Sequence, residues 1–388
     1  MSRSVDLVIV GAGVAGLWCF NRLKRAGYDT LLLEREAIGG GQTIAAQGII
    51  HSGLKYSLAG QVNDAARSIS AMPDRWRAAL RGEGEVDLSG AQVRAESQFL
   101  LIPGGFMGGL TRLLAQRVLG SSARNVPEAE WPEGLRSSGF RGSAVFMGEP
   151  VVDMPSLIRA LAEPWRDNIR RIGLTESEAP IEFLRAQGIE AKAVLFTGAA
   201  GNERIARDNR HDEGLDTQHR PLLQGMLKPA PFPLYAHFVG RSDKPVATIT
   251  THEAADGSLV WYLGAAIAER PKQADPAEVY AAARKAFATY LPKVDLTDVQ
   301  WATWPIDRVE GKSASFWLPD APTVHRVGNV MYGWPTKLTF TPMLGDMVAA
   351  ELDKLGIEPS HRHTDFSDLP PVDYAAAPWD KAKWTSPE

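Results

Sequence analysis

The sequence predicts an α/β protein, a parallel sheet flanked by helices and interrupted by an inserted α+β region built on a mixed or antiparallel sheet. Three observations predict it. The first 36 residues run strand, glycine turn, helix, strand, acid. Two later segments, "AKAVLFTGAAGNERI" and "VGNVMYGWPTKLTFTPMLGDMVAAEL", repeat the order of buried strand, small-residue turn and helix. Between these lie stretches rich in β-branched and aromatic residues and bounded by Gly, Pro and Asp, which read as strands.

Composition narrows the classes. A chain of 388 residues is long enough for two or three domains. Its 44% hydrophobic and 23% charged content is that of an ordinary globular protein. A formal charge of −4 argues against a nucleic-acid partner, which needs a surplus of Lys and Arg on one face. With one cysteine, Cys19, there is no internal disulfide, paired-cysteine redox centre or Cys-rich metal site. No His/Cys/carboxylate spacing suggests a metal either. The short apolar run at the N-terminus leads straight into a glycine turn and reads as a strand, not a secretory signal. No run of roughly 18 apolar residues occurs, so a membrane span is not expected and the cytoplasm is the expected compartment.

The N-terminal unit is "VDLVIVGAGVAGLWCFNRLKRAGYDTLLLERE". Residues 5–10 form the apolar run that a strand buried on both faces requires. Gly11, Gly13 and Gly16 then make G-x-G-x-x-G. Gly11 permits the tight turn, Gly13 lets a pyrophosphate approach the backbone, and Gly16 lets the helix pack close to the strand. Val14 and Ala15 open the helix, whose free N–H groups and positive dipole end suit phosphates. Gly27 caps that helix. A second strand, 30–33, closes with Glu34 and Arg35. Glu34 stands about 20 residues past the last glycine, where an acid hydrogen-bonds ribose hydroxyls. This is a Rossmann-type unit; by itself it leaves open whether the dinucleotide carries a nicotinamide or a flavin.

The next stretch, "IGGGQTIAAQGIIHSGLKY", is unusual in its run of small residues where a nicotinamide enzyme would turn into another helix. "EPVVDMPSLIRALAEPW" follows later, with Asp153 as N-cap and Pro155 in the first helical turn. Together with the two later strand–turn–helix segments, these stretches resemble the D-amino-acid oxidase, glycine oxidase and sarcosine oxidase superfamily of flavoproteins. The resemblance covers nearly the whole chain and is strong at these segments. "GIIHSGLKY", residues 48–56, resembles in particular the branch of glycerol-3-phosphate dehydrogenases and 2-hydroxyglutarate oxidases.

The resemblance implies a glutathione-reductase-like FAD domain from residues 1–80, 151–210 and 325–365. It implies a substrate domain from 81–150 and 211–324, leaving 366–388 as a C-terminal arm that wraps its own domain or packs on a second subunit. FAD is expected to be bound non-covalently, since Cys19 sits on the phosphate-side helix, away from the ring. Gly41, Gln42, Thr43, Gln47 and Gly48 would run along the pyrophosphate and under the ring. Thr197 and Gly198 would meet the adenosine–pyrophosphate region. Gly333, Lys337, Leu338 and Thr339 would face the pyrimidine edge ahead of a helix starting at Thr341 as cap and Pro342. Lys337 matches a lysine of the sarcosine-oxidase pattern and would be the cation that stabilises negative charge on reduced flavin. Trp334 and Pro335 depart from the Gly/His-rich loop of many relatives and make this loop bulkier and stiffer.

For the substrate, Arg308 matches an arginine that holds a carboxylate, although Asp307 and Glu310 beside it equally suit a structural ion pair. Tyr262, Trp304 and Trp334 are candidate pocket walls, against the ordinary reading of such aromatics as core. His51 would lie near the ring, whereas His237 and His252 sit in strands and read as packing histidines. The chemistry implied is oxidation by hydride transfer to flavin N5. The first expectation is a CH–NH bond of an amine or amino acid. The alternative is a CH–OH bond of a 2-hydroxy acid or polyol phosphate, for which His51 would be the base. A flavin-binding protein without turnover is the third reading. The electron acceptor, whether oxygen, a quinone or a carrier protein, is left open.

Overall fold

The structure is a computed structural model and describes residues 3–51, 71–104, 124–173, 180–240, 244–312 and 321–386. Tyr56 and the rest of the "GIIHSGLKY" string past His51 lie outside the described residues.

Two sheets carry the molecule. The first has six strands in the spatial order Thr323–Val327, Val330–Trp334, Ile189–Phe196, Arg3–Val10, Thr30–Glu34, Ile169–Arg171. All neighbours are parallel except the terminal hairpin, whose strands pair antiparallel from Thr323↔Trp334 to Val327↔Val330. The central strand is buried from Val5 to Val10 because both faces are covered, which is why its sequence is apolar without alternation. Helix Val14–Arg25 packs on one face with helices Met154–Ala162 and Thr341–Lys354, burying Trp18, Phe20, Leu157, Leu344 and Val348 in one core. Gly27, at φ +91°, ends the first helix in the left-handed region that glycine favours. Asp153 caps the second: its carboxylate accepts from Ser156 N at 3.0 Å, a contact worth about 1 kcal/mol. The last helix departs from expectation in one detail. Its cap is Phe340, preceded by a 3₁₀ turn Leu338–Phe340, and the Thr341 hydroxyl instead donates back to Leu338 O at 2.8 Å.

The second sheet has eight strands in the order Gln300–Gly311, Thr217–Lys228, Leu259–Gly264, Ala247–Glu253, Ala236–Phe238, Phe99–Pro103, Gly142–Phe146, Arg124–Val126. It is mixed: Ala236–Phe238 pairs parallel with Phe99–Pro103 and the other neighbours pair antiparallel. Helix Pro276–Tyr290 covers one face and packs Phe287 on Trp261 at 5.5 Å between ring centroids. The Pro- and Gly-punctuated stretch 125–142, whose composition reads as loop, carries the edge strand Arg124–Val126, a 3₁₀ turn and a short helix Glu133–Ser137. Trp131 accounts for this order, being buried with its indole N–H donated to Val126 O at 2.9 Å.

One boundary of the sequence partition shifts. Val86 and Leu88 belong to the core of the parallel-sheet domain, and strand Val93–Ala95 pairs with Val151–Val152, so the inserted region begins later than residue 81. The C-terminal arm lies on its own chain and touches both sheets' domains. Ile38 bridges Tyr374 on the first domain, and Trp301 bridges Thr385 on the second.

The arm also buries a histidine. His252 is sealed under Trp379, with ring centroids 4.2 Å apart, and its Nε2 meets Thr250 Oγ1 at 2.9 Å. Burial holds its pKa down at about 3, against 6.5 for a free imidazole. The native state therefore keeps His252 neutral while the unfolded chain takes up a proton below about pH 6.5, so stability falls on acidification from pH 6.5 towards pH 3. The ceiling on this loss is on the order of several kcal/mol. Between pH 7 and pH 4.5 the melting temperature of wild type should drop more than that of His252→Gln. Parallel curves for the two proteins would refute the assignment.

Candidate active site

A cavity of about 610 Å³ is lined by the glycine turn and Glu34, by most of the small-residue crossing 40–49, and by His51, Gln224, Arg308 and the loop 333–338. Its glycine-turn end is built by backbone. Gly11 sits at φ +110°, and a Cβ there would meet Thr197 C at 2.9 Å. Gly16 does not line the cavity; a Cβ on it would stand 2.0 Å from Gly11 O, so this glycine allows the helix to pack against the turn. Glu34 Oε2 accepts from Ala12 N at 2.7 Å and Oε1 from Glu36 N at 2.8 Å, which anchors the carboxylate at the cavity wall. Each ionised oxygen has a second lone pair, so two ribose hydroxyls still find acceptors. Arg35 lines the same end and pairs with Glu36 at 2.7 Å.

No side chain within the first helix caps its N-terminus; Thr43 reaches across, accepting from Val14 N at 2.9 Å. The Thr43 hydroxyl keeps its own proton to donate. Ala15, Gly41, Gln42 and Gly48 line the cavity nearby. Gly41 (φ +62°) faces open space, with nothing within 4 Å of an added Cβ. A helix N-terminus beside a channel kept clear by glycine fits a pyrophosphate.

Thr197 and Gly198 line the adjacent turn, and the Thr197 hydroxyl donates to Gly11 O at 2.8 Å. Asn202 was not anticipated. Fully buried, it accepts from Gly198 N at 2.7 Å and donates to Phe196 O and Gly333 O at 3.1 and 3.3 Å, tying the second turn to the last strand. An Asn four residues past the turn glycine was the only sequence signal for it.

At the far end the crossing segment is pinned to the second sheet. Gln47 lines the cavity, yet its amide N–H donates to Tyr262 O at 3.0 Å and Thr248 O at 3.3 Å, so it joins the two domains as well. Gly333, Trp334, Lys337 and Leu338 also line the cavity. Trp334 is nearly buried and donates its indole N–H to Ala199 O at 3.2 Å. The Lys337 ammonium lies 5.8 Å from the Phe340 ring centroid. Thr339 does not line the cavity; it is a clamp, whose hydroxyl accepts from His51 N at 2.8 Å and whose carbonyl accepts from Trp76 Nε1 at 3.0 Å.

Two expected pocket walls are corrected. Tyr262 is fully buried, with its hydroxyl on Ala45 O at 2.9 Å and in contact with Gln224 Oε1, and burial raises its pKa well above 10. Trp304 packs among apolar side chains, including Leu222 and Ile306, and does not line the cavity. Both rings are used as core. Arg308 lines the cavity, next to a smaller basic pocket that it shares with Arg220 and Arg270. Cys19 is buried, with a thiol pushed up to about 12 by burial, and takes no part.

A cluster of titratable side chains surrounds His51. Its Nδ1 stands 3.1 Å from Glu149 Oε2, and the imidazole is 46% exposed while Glu149 is 7% exposed. Glu149 also faces His237, whose Nε2 is 3.9 Å away. His237 is buried and has its Nδ1 on Thr248 Oγ1 at 2.8 Å. The sequence does not single out Glu149, and it places His237 among the packing histidines. No local spacing could show this group, since residue 149 is 98 positions from His51.

A carboxylate acceptor on Nδ1 fixes the neutral tautomer with its proton on Nδ1 and the lone pair on Nε2. A base oriented by a third group is the pattern of enzymes that remove a proton from oxygen.

A family model described as FAD dependent oxidoreductase (DAO) matches residues 6–351. Over 386 residues the chain is 41% identical to the probable FAD-dependent oxidoreductase PA4991 of Pseudomonas aeruginosa, covering 98% of each chain. The crystal structure of PA4991 superposes with a TM-score of 0.81 over 98% of both chains. More distant structures share the fold. Glycine oxidase from Geobacillus kaustophilus is 16% identical with a TM-score of 0.62, over 91% of this chain and 95% of that one. L-α-glycerophosphate oxidase from Mycoplasma pneumoniae is 12% identical with a TM-score of 0.59, over 90% and 95%. Among the described residues, no helix is long and apolar enough to cross a membrane.

Proposed function

The chain belongs to the DAO family of FAD-dependent oxidoreductases, and from that premise we propose that it oxidises a CH–OH bond, in a 2-hydroxy acid or polyol phosphate. The observation that carries this reading is the His51–Glu149 pair at 3.1 Å. FAD, once bound along the cavity wall, would supply the two-electron acceptor that such an oxidation needs.

Removing hydride from a carbinol carbon leaves a protonated carbonyl unless the hydroxyl proton departs, so an alcohol needs a base beside it. An amine needs only to bind unprotonated. His51 Nε2 takes the hydroxyl proton. Glu149 keeps the lone pair on that nitrogen by accepting the Nδ1–H, and its buried negative charge stabilises the imidazolium that forms. Arg308, on the wall of the same cavity, binds the substrate's carboxylate or phosphate, for which a guanidinium offers two parallel donors. Thr339 and Gln47 hold the crossing segment in register, which fixes where the His51 imidazole stands on the cavity wall.

The first expectation from sequence, CH–NH oxidation, rested on the general small-residue pattern; the His51–Glu149 pair moves the choice to the alcohol branch. Steady-state assays with D- and L-amino acids, N-methyl amines, 2-hydroxy acids and polyol phosphates separate the two. Turnover is expected with the oxygen substrates. Turnover confined to the amines would overturn the reading.

A further inference from the structure

We propose that His51, Glu149 and His237 form a binding site for a zinc-class divalent cation, and that its occupancy silences the enzyme. One ligand atom from each residue lies within 4.8 Å of the others. Glu149 Oε2 is 3.1 Å from His51 Nδ1 and 3.9 Å from His237 Nε2. Tetrahedral zinc, with bonds of about 2.0–2.1 Å, sets its ligand atoms about 3.3 Å apart, between those two separations. The Glu149–His237 edge must shorten by about 0.6 Å, and a turn of the half-exposed His51 ring must close the His51–His237 edge, which lies within 4.8 Å.

The chemistry of the donors agrees. Two imidazoles and one carboxylate are a ligand set that zinc, cobalt(II) and iron(II) take, and soft thiolates are absent from it. His237 is already held by a hydrogen-bond partner. Its Nδ1 is 2.8 Å from Thr248 Oγ1; donating there leaves the lone pair on Nε2, the atom that faces Glu149. Glu149 and His237 are buried while His51 opens to the cavity, so the cation has an entry path and an open coordination position on the substrate side.

Silencing follows from the tautomer and rests on the proton-accepting role given to His51 above. A cation on Nδ1 takes the lone pair there, so the proton of the neutral ring moves to Nε2. Nε2 then has no lone pair for a hydroxyl proton. Catalysis belongs to the metal-free pair, and the cation and the Nδ1 proton exclude each other at one atom.

The test uses the FAD-loaded enzyme. Cobalt(II) chloride should bind with one-to-one stoichiometry and produce ligand-field bands to the red of the flavin absorption. Zinc chloride should abolish those bands, raise the melting temperature and stop turnover, and EDTA should restore it. His237→Gln should weaken zinc binding at least tenfold by calorimetry. Binding that is unchanged in this variant, or no cobalt bands and no thermal shift in wild type, would overturn the site. Tight binding with undiminished turnover would uphold the site and overturn both the silencing and the role of His51 as base, which keeps the two failures apart.

Discussion

Replacing His51 with Gln should lower kcat with the preferred hydroxylated substrate by about 10²–10⁴-fold, the usual contribution of a positioned general base. The cofactor should stay bound, because the neighbouring backbone contact, His51 N to Thr339 Oγ1, does not use the side chain. Glu149 acts through His51, so its variants should grade: Glu149→Gln keeps an oxygen acceptor for Nδ1–H and retains more activity than Glu149→Leu. Single-turnover bleaching of the flavin band reads the chemical step directly. A His51→Gln enzyme that reduces its flavin as fast as wild type would show that this imidazole takes no proton in the reaction.

Gly11→Ala should cost the protein its cofactor. At φ +110° a Cβ is strained wherever it points, by about 1–3 kcal/mol. Here it also points at Thr197 C and Gly198 N, 2.9 and 3.0 Å away. Relief requires the two glycine turns to move apart, and both line the phosphate end of the cavity. A loss of about 3 kcal/mol is roughly a hundredfold in FAD affinity. Fluorescence titration of the apoprotein with FAD measures it, alongside a lower melting temperature. Affinity within about threefold of wild type would mean that the turn carries little of the binding.

The fold was legible in the sequence wherever one rule dominates. The apolar run before Gly11 has to be a strand covered on both faces, and the Gly11–Gly13–Gly16 spacing has to bring a helix N-terminus to a phosphate. Asp153 and Pro155 mark a helix start by local hydrogen bonding alone. Legibility fails where tertiary packing decides. Trp131 turns an apparent loop into an ordered edge because its indole finds Val126 O, and Tyr262 leaves the pocket because Ala45 O and Gln224 offer its hydroxyl partners inside.

The proposed catalytic group shows the same division. His51 was visible through its place after the small-residue crossing. Glu149 and His237 were not, because each comes from a different segment and only sheet pairing brings them together: His237 pairs with Leu100 on one side and Thr248 on the other. Asn202 escaped for a related reason. Its value lies in joining Gly198 to Gly333, a contact between segments more than a hundred residues apart.

The measurement that reaches furthest is a crystal structure of the FAD-loaded protein, read for the separation between His51 Nε2 and flavin N5. A base and a hydride acceptor working on one carbinol must lie within about 7 Å of each other, a hydrogen bond plus one bond plus a near-attack contact. A separation of about 7 Å or less is expected, with Glu149 still on Nδ1. An imidazole more than about 10 Å from N5, or on the far side of the ring from the substrate space, would contradict it.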